Sequence, residues 1–381
     1  MIYLDNAAGT HPKPAPVIRS MQEACRKFGA NPGRGCYRMS KQTAYMVNET
    51  REKLARFFHI ARPERIVFTA GATASLNMAL FGLLKPGDHL LISSMEHNAL
   101  WRPAAALARE GKISVSQIQA DSQGYVRAED FAAALRPQTA LIACLHGSNV
   151  NGAVQPIAAI GALAAAHGIP FLVDTAQSAG LLPVDVERDH IDLLAVAGHK
   201  YLYGLPGSGF LYVSPRVELR PLIYGGTGNK SEMPEQPDFY PDHLESGSIN
   251  TLGIAALNAA VDFIQDIGPE TLAGHCRELS QSLLTDLACI PRLTLQTPTE
   301  KGLPLLPAVS FTLAHHTPEE TAVLLDKEFH IAVRSGYHCA PLAHQTLGTL
   351  DEGTVRLSPG WFNTVPEVKR AAAAIAQIAR R

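Results

Sequence analysis

Between Glu64 and Tyr212 the chain repeats one pattern: a short apolar run, a turn, and a helix-length stretch. Ile66–Thr69 reads as a strand, and a Gly71 turn leads into a helix through Leu83. His89–Ser93 is a second strand, followed by a helix around Leu100–Arg109, and Ile113–Ile118 is a third strand. Ala140–Leu145 is apolar throughout, Ile157–His167 is a helix of small residues stopped by Gly168, and Pro170–Val173 and Leu193–Val196 are further apolar strands. Strands this apolar must be covered on both faces. Helices between them supply that cover, which predicts an α/β fold with a mainly parallel sheet. Ligands on such sheets sit beyond the carboxyl ends of the strands.

The rhythm changes after Tyr212. A loop-rich stretch from Tyr224 to about Ser248 holds Pro234, Pro237 and Pro241. Thr251–Ile267 then reads as a helix closed by Gly268, and Pro269 suits the first turn of another that runs to about Ile290. Val309–Phe311 and Ile331–Val333 are strand-like, and Val368–Arg381 is a closing helix. This part predicts a separate, smaller α+β domain. A chain of 381 residues has room for two domains at roughly 150 residues each.

Composition removes whole classes of function. Lys+Arg is 33 against Asp+Glu 35, and a formal net charge of −2 gives no overall pull towards nucleic acid or an anionic membrane. The longest clean apolar run, Ile157–Ala166, is far short of the roughly 18–20 residues of a membrane span. The N-terminus carries neither a basic nor an apolar signal region. Its six cysteines form no C-x-x-C pair, which argues for a reducing, cytoplasmic setting and against disulfides or a metal site.

Polar residues gather where apolar strands end. Lys200, in Ala197-Gly198-His199-Lys200, follows a strand and can reach into a cleft, as Schiff-base lysines do; the plain alternative is a solvated surface lysine. Asp174 ends another strand in Val173-Asp174-Thr175-Ala176-Gln177; it either caps the next helix or faces a cationic ring nitrogen. Thr69-Ala70-Gly71-Ala72-Thr73 is a strand–turn–helix junction suited to an anion. His97, in Met95-Glu96-His97-Asn98, and Asn149, in His146-Gly147-Ser148-Asn149, also follow strands, where turn chemistry is the bland explanation. Late in the chain, Cys339 sits in Arg334-Ser335-Gly336-Tyr337-His338-Cys339-Ala340-Pro341, a setting that can stabilise a thiolate. Arg356, in Val355-Arg356-Leu357-Ser358, can bind a carboxylate bidentately or form a surface ion pair.

The combination of Asp-x-x-Gln, Gly-His-Lys and the late His-Cys-Ala resembles the class V, fold-type I enzymes that use pyridoxal 5′-phosphate, and within them the cysteine desulfurase and selenocysteine lyase family. The likeness runs from Tyr3-Leu4-Asp5-Asn6 to Phe362-Asn363-Thr364, and the short segment between Cys339 and Arg356 looks like the SUF-type branch. It implies a large cofactor-binding α/β domain over 16–250 and a small α+β domain of 1–15 with 251–381, carrying the Cys339 loop. By resemblance, Lys200 carries the cofactor and moves the α-proton, Asp174 keeps the pyridine nitrogen protonated, and Gln177 bonds the phenolic oxygen. His97 stacks on the ring. Ala72, Thr73 and His199 hold the phosphate, with Ser248 reaching across a homodimer interface. Asn149, Arg356, Arg334 and Asn6 surround the substrate carboxylate, and Cys339 takes the sulfur. The implied reaction converts L-cysteine, or selenocysteine, to L-alanine and delivers sulfur from a Cys339 persulfide to a protein acceptor. Departures are Ala72 for a threonine, Tyr37 for a histidine in Arg34-Gly35-Cys36-Tyr37, Ser248 for a threonine, and Tyr337 for the first of two histidines. The alternatives are a class V aminotransferase or epimerase, which needs no thiol at Cys339, and a cofactor-free scaffold.

Overall fold

The computed structural model describes residues 1–33, 35–300 and 302–381. Its first half runs β1 (Ile2–Tyr3), α1 (Ala15–Lys27), α2 (Arg38–Phe57), β2 (Ile66–Thr69), α3 (Ala72–Leu83), β3 (His89–Ser93), α4 (Asn98–Arg109), β4 (Ser114–Ile118), α5 (Ala128–Ala133), β5 (Thr139–Leu145), α6 (Ile157–Ala166), β6 (Phe171–Asp174), β7 (Leu193–Ala197) and β8 (Gly209–Val213). Strands β2 to β8 form one seven-stranded sheet in the order β2-β8-β7-β6-β5-β3-β4. Only β8 runs against its neighbours. The sheet is buried because alternate residues feed two different cores. Leu194 and Val196 pack into one with Leu91, Ile142 and Val173, while Leu193 and Ala195 pack into the other with Leu90, Leu141 and Leu172. That is why these strands read as unbroken apolar runs.

Helices α1 and α2 have no counterpart in the strand–helix reading of the sequence. The buried face of α2 includes Ser40, Thr43, Thr50 and Arg51, so its apolar stripe is broken by polar residues. Thr43 and Thr50 are satisfied within the helix, their hydroxyls donating to the carbonyls of Met39 and Met46, whereas Arg51 reaches out to the Ile66 carbonyl and the Glu245 carboxylate.

The second half holds α7 (Thr251–Ile267), α8 (Pro269–Leu287), β9 (Leu293–Leu295), β10 (Val309–Leu313), α9 (Pro318–Phe329), β11 (Ile331–Ala332), β12 (Arg334–Gly336), α10 (Pro341–Thr346), β13 (Thr354–Leu357) and α11 (Val365–Ile378). Gly268, at φ +89°, ends α7, and Pro269 opens α8. An antiparallel sheet β12-β13-β10-β9 packs on α8 and α9, α11 lies against both helices and shares their core, and β1 returns to pair in parallel with β11.

Apolar packing crosses the expected boundary between residues 250 and 251. Helix α7 belongs to the first half: Leu257, Ala260, Val261 and Ile264 sit in its core, and Ile254 and Ala255 meet Ala24, Met46 and Val47 of α1 and α2. Within α8, Leu272 and Cys276 join that same core, whereas Leu279, Leu283 and Leu287 join the core of the second half with Ile2, Phe311, Val355 and Ile375. Helix α8 therefore takes part in both cores.

Phe210 of β8 is fully buried and meets Phe58 edge to face at 5.4 Å. Phe210→Ala removes that ring from the larger core and is expected to cost about 3–5 kcal/mol. A fall in the urea midpoint of the far-ultraviolet circular dichroism signal measures it.

Candidate active site

The parallel strands end at one rim of the sheet, and the loops leaving them enclose a cavity of about 520 Å³. Asp174 is the last residue of β6, Lys200 lies just beyond β7, His97 beyond β3 and Asn149 beyond β5. Because β8 runs backwards, its first residue, Gly209, reaches the same rim. A Cβ there would lie 2.3 Å from the Val196 carbonyl oxygen and 2.6 Å from Gly71 Cα, so only glycine lets the two loops meet. Of the site residues expected from sequence, all but Cys339, Ser248 and Asn6 line this cavity.

Charge is unevenly distributed in it. Lys200, Arg334 and Arg356 supply cations, and Asp174 is the one carboxylate of the described lining. Burial lowers the Lys200 amine to about 8, with Asp174 pulling the other way. Burial raises the Asp174 carboxyl, whose Oδ1 accepts from Ala176 N–H at 2.8 Å. No donor among the described residues reaches its Oδ2. A buried carboxylate so lightly supported suits a cationic partner brought by a ligand.

His97 is the N-cap of α4. Its Nδ1 accepts the Ala99 N–H at 3.0 Å, which leaves the ring proton on Nε2. Burial, then Lys200, lowers its pKa to about 3, so the ring is a neutral flat surface at any working pH. His199 is likewise lowered to about 4 by burial and then Lys200, and its Nδ1 has no partner among the described residues. Gly71, at φ +134°, opens α3 with no side-chain cap, leaving the first N–H groups of a 12-residue helix towards the cavity. Exposed Thr73 stands on that first turn. Gln177 gives one amide hydrogen to the Ala7 carbonyl at 3.0 Å and keeps its second.

These groups fit pyridoxal phosphate: a helix N-terminus with Thr73 and His199 for a phosphate, Asp174 for a protonated ring nitrogen, Gln177 for a phenolic oxygen, and an amine of lowered pKa.

Cys339 sits exposed above the cavity. Its own backbone and that of His338 adopt φ of +59° and +47°, a region that costs a non-glycine residue on the order of 1–3 kcal/mol. Tethers hold the loop there: Asn149 Nδ2 donates to the His338 carbonyl at 2.6 Å, and Asn98 N–H to the Cys339 carbonyl at 2.8 Å. Buried His338 bonds Thr354 through Nε2 at 2.9 Å. Arg334 Nη2 lies 3.5 Å from Cys339 Sγ. Asn149 therefore anchors the cysteine loop with the amide expected to face substrate.

One expected residue, Asn6, is not in the lining, and the contact expected of Ser248 is one made to a partner subunit. Asn6 spends its side chain on Ser358, Asn363 and the His11 N–H, away from the cavity. Ser248 is exposed, and among the described residues its hydroxyl accepts from Asn31, at 3.4 Å. Arg34 lies outside the described residues. Sequence reading also missed two residues. Asp5 pairs with Arg356 at 2.7 Å. Glu96, raised by burial to about 8, ties the ends of β3 and β5 by accepting from Ser93 and Leu145. A carboxylate beside His97 was the available signal for Glu96; nothing local marks Asp5.

Comparison with known proteins agrees with this geometry. The aminotransferase class-V family model matches residues 2–371. A probable cysteine desulfurase of Methanothermobacter thermautotrophicus is 34% identical, with 99% of this chain and 94% of that protein covered. The apo structure of a cysteine desulfurase from Thermococcus onnurineus NA1 superposes with a TM-score of 0.92 at 30% identity, covering 100% of this chain and 94% of its own. A cysteine desulfurase from Escherichia coli gives 0.87 at 27% identity, with coverage of 99% and 94%.

In protein freed of cofactor, the Lys200 amine is expected to titrate near 8, against an ordinary 10.5. The neutral amine is the reactive form, so acylation of Lys200 should accelerate through pH 7–8 and level off above that. Asp174→Asn should move this profile to lower pH, because the lost negative charge favoured the ammonium form. Peptide mapping separates Lys200 from Lys13, which burial also lowers to about 8.

Proposed function

The chain belongs to the class-V aminotransferase family and, within it, to the pyridoxal-phosphate-dependent cysteine desulfurases; from that premise we propose which of its residues perform the reaction. The observation that carries the assignment is the position of Cys339: Sγ 3.5 Å from the Arg334 guanidinium, above a cavity that also holds Lys200 and Asp174.

In this reading Arg356 takes the α-carboxylate of L-cysteine, and Asn149 steadies the loop that carries the nucleophile. The α3 N-terminus, Thr73 and His199 take the cofactor's phosphate, Asp174 its ring nitrogen, Gln177 its phenolic oxygen, and His97 packs against its ring. When bound, pyridoxal phosphate supplies an electron sink for the charge left at Cα. Lys200, neutral in part at pH 7–8, holds the cofactor and accepts the α-proton at Nζ. The Cys339 thiolate, with Arg334 beside it, attacks the substrate sulfur. The carbon–sulfur bond breaks, its electron pair stays on the β-carbon and is protonated, Lys200 returns a proton to Cα, and L-alanine leaves. The sulfur remains on Cys339 as a persulfide, whose exposed position suits delivery to a protein acceptor. Selenocysteine fits the same route. An aminotransferase or epimerase reading gives the Cys339 loop and its tethers no task.

The protein acts as a two-fold dimer in the cytoplasm. Exposed Tyr37, Tyr45, Ile223 and Tyr224 support an apolar contact surface, and the exposed hydroxyl of Ser248 supports a phosphate contact made in the partner. All six cysteines are free, which suits a reducing compartment. No helix among the described residues is long and apolar enough to cross a membrane.

Cys339→Ala should keep the visible absorption of the bound cofactor while forming no persulfide and releasing little alanine. Peptide mass mapping after one turnover with L-cysteine tests this directly: one added sulfur on Cys339 supports the assignment, and its absence with transamination products overturns it. Sedimentation should give the dimer mass at assay concentrations; a fully active monomer would remove the role given to Ser248.

A further inference from the structure

Arg356 is 1% exposed and lies on β13, in the floor of the small-unit sheet. A guanidinium buried this deeply needs both a counter-charge and a fixed plane. Two contacts supply them. Nη2 donates to Asp5 Oδ1 at 2.7 Å, and Nη1 donates to the Asn149 carbonyl at 2.7 Å. Both terminal nitrogens are thereby pinned. Nε has no partner among the described residues, and each terminal nitrogen keeps one hydrogen. Among the described residues Asp5 is the only carboxylate ion-paired with Arg356, while nearby Arg334 adds a repelling charge.

Asp5 is itself built in. Its strand-like segment bridges Ser358, two residues beyond Arg356, through Asn6 N–H to the Ser358 carbonyl and Ser358 N–H to the Leu4 carbonyl. Tyr3 Oη donates to the carbonyls of Asp5 and Gly9 at 3.1 and 2.9 Å. The Asn6 amide, absent from the cavity, locks this same segment to Ser358 and Asn363.

We infer that Asp5 is a positioning residue: it holds the Arg356 fork in the plane that receives a substrate carboxylate, and so sets the preference for α-amino acids over amines that lack that group. The inference rests on the reading of Arg356 as the carboxylate site. Without Asp5 the guanidinium keeps one tether, at Asn149, and can swing about it. A ligand with a carboxylate then meets a misplaced fork; a ligand without one loses nothing.

The test uses the cofactor-loaded protein and two ligands that differ only in the carboxylate, L-alanine and ethylamine. Binding is read from the change in the cofactor's visible absorption. Asp5→Ala should weaken L-alanine about tenfold or more while ethylamine changes less than about twofold. Asp5→Asn, which keeps an acceptor oxygen at the same place, should recover part of the loss. A purely structural role would weaken both ligands together, and that result overturns the inference. Arg356→Ala runs alongside. If it collapses the L-alanine preference and both Asp5 variants retain it, the inference alone fails. If Arg356→Ala retains the preference, the carboxylate assignment fails and takes this inference with it.

Discussion

Covering both faces of the seven-stranded sheet is the constraint on which the rest depends. Residues Leu193 to Val196 alternate between two apolar cores, so no polar side chain can enter the sheet from either face without losing its water. Polar chemistry is pushed to the strand ends. There the backbone turns out of the ladder, its N–H groups are free, and side chains such as Asp174 and Lys200 can face a cavity while their backbones stay anchored. The antiparallel β8 serves the same end by bringing Gly209 against Gly71 and closing that side of the site.

Electrostatics then choose the ligand. The lining carries more positive charge than negative, and its imidazoles, His97, His199 and His338, are all held neutral by burial. Such a cavity favours anions, and the α3 N-terminus favours a phosphate in particular. Asp174 runs against that field. Its burial costs free energy, which a cationic group brought by a ligand would offset.

The N-terminal segment joins the two halves of the machinery. Asp5 meets Arg356, the Ala7 carbonyl receives Gln177, and Thr10 with Lys13 bonds the His199 carbonyl. The carbonyl next along, at Lys200, also accepts from Thr10. The Arg356 guanidinium, the Gln177 amide and the backbone at Lys200 are thus all tied to nine residues of one strap, Asp5 to Lys13.

What the residues alone determine is local. Apolar runs located β2, β3, β5, β6 and β7, Gly268 with Pro269 located the α7–α8 junction, and strand-end polar residues marked Lys200, Asp174 and His97 as candidates at the rim, while the part given to Gln177 came from the resemblance alone. Each of those signals lies within a few residues of the feature it predicts, because strand periodicity and turn chemistry are properties of neighbours in sequence. Tertiary structure decided the remainder. It moved α7 into the first core, turned Asn6 away from the cavity, assigned the Asn149 amide to the Cys339 loop, and paired Asp5 with Arg356. That pair spans 351 residues. Its ion pair exists only because β1 comes back to β11 and the segment after it lies against Ser358, and no local pattern in either segment encodes that return.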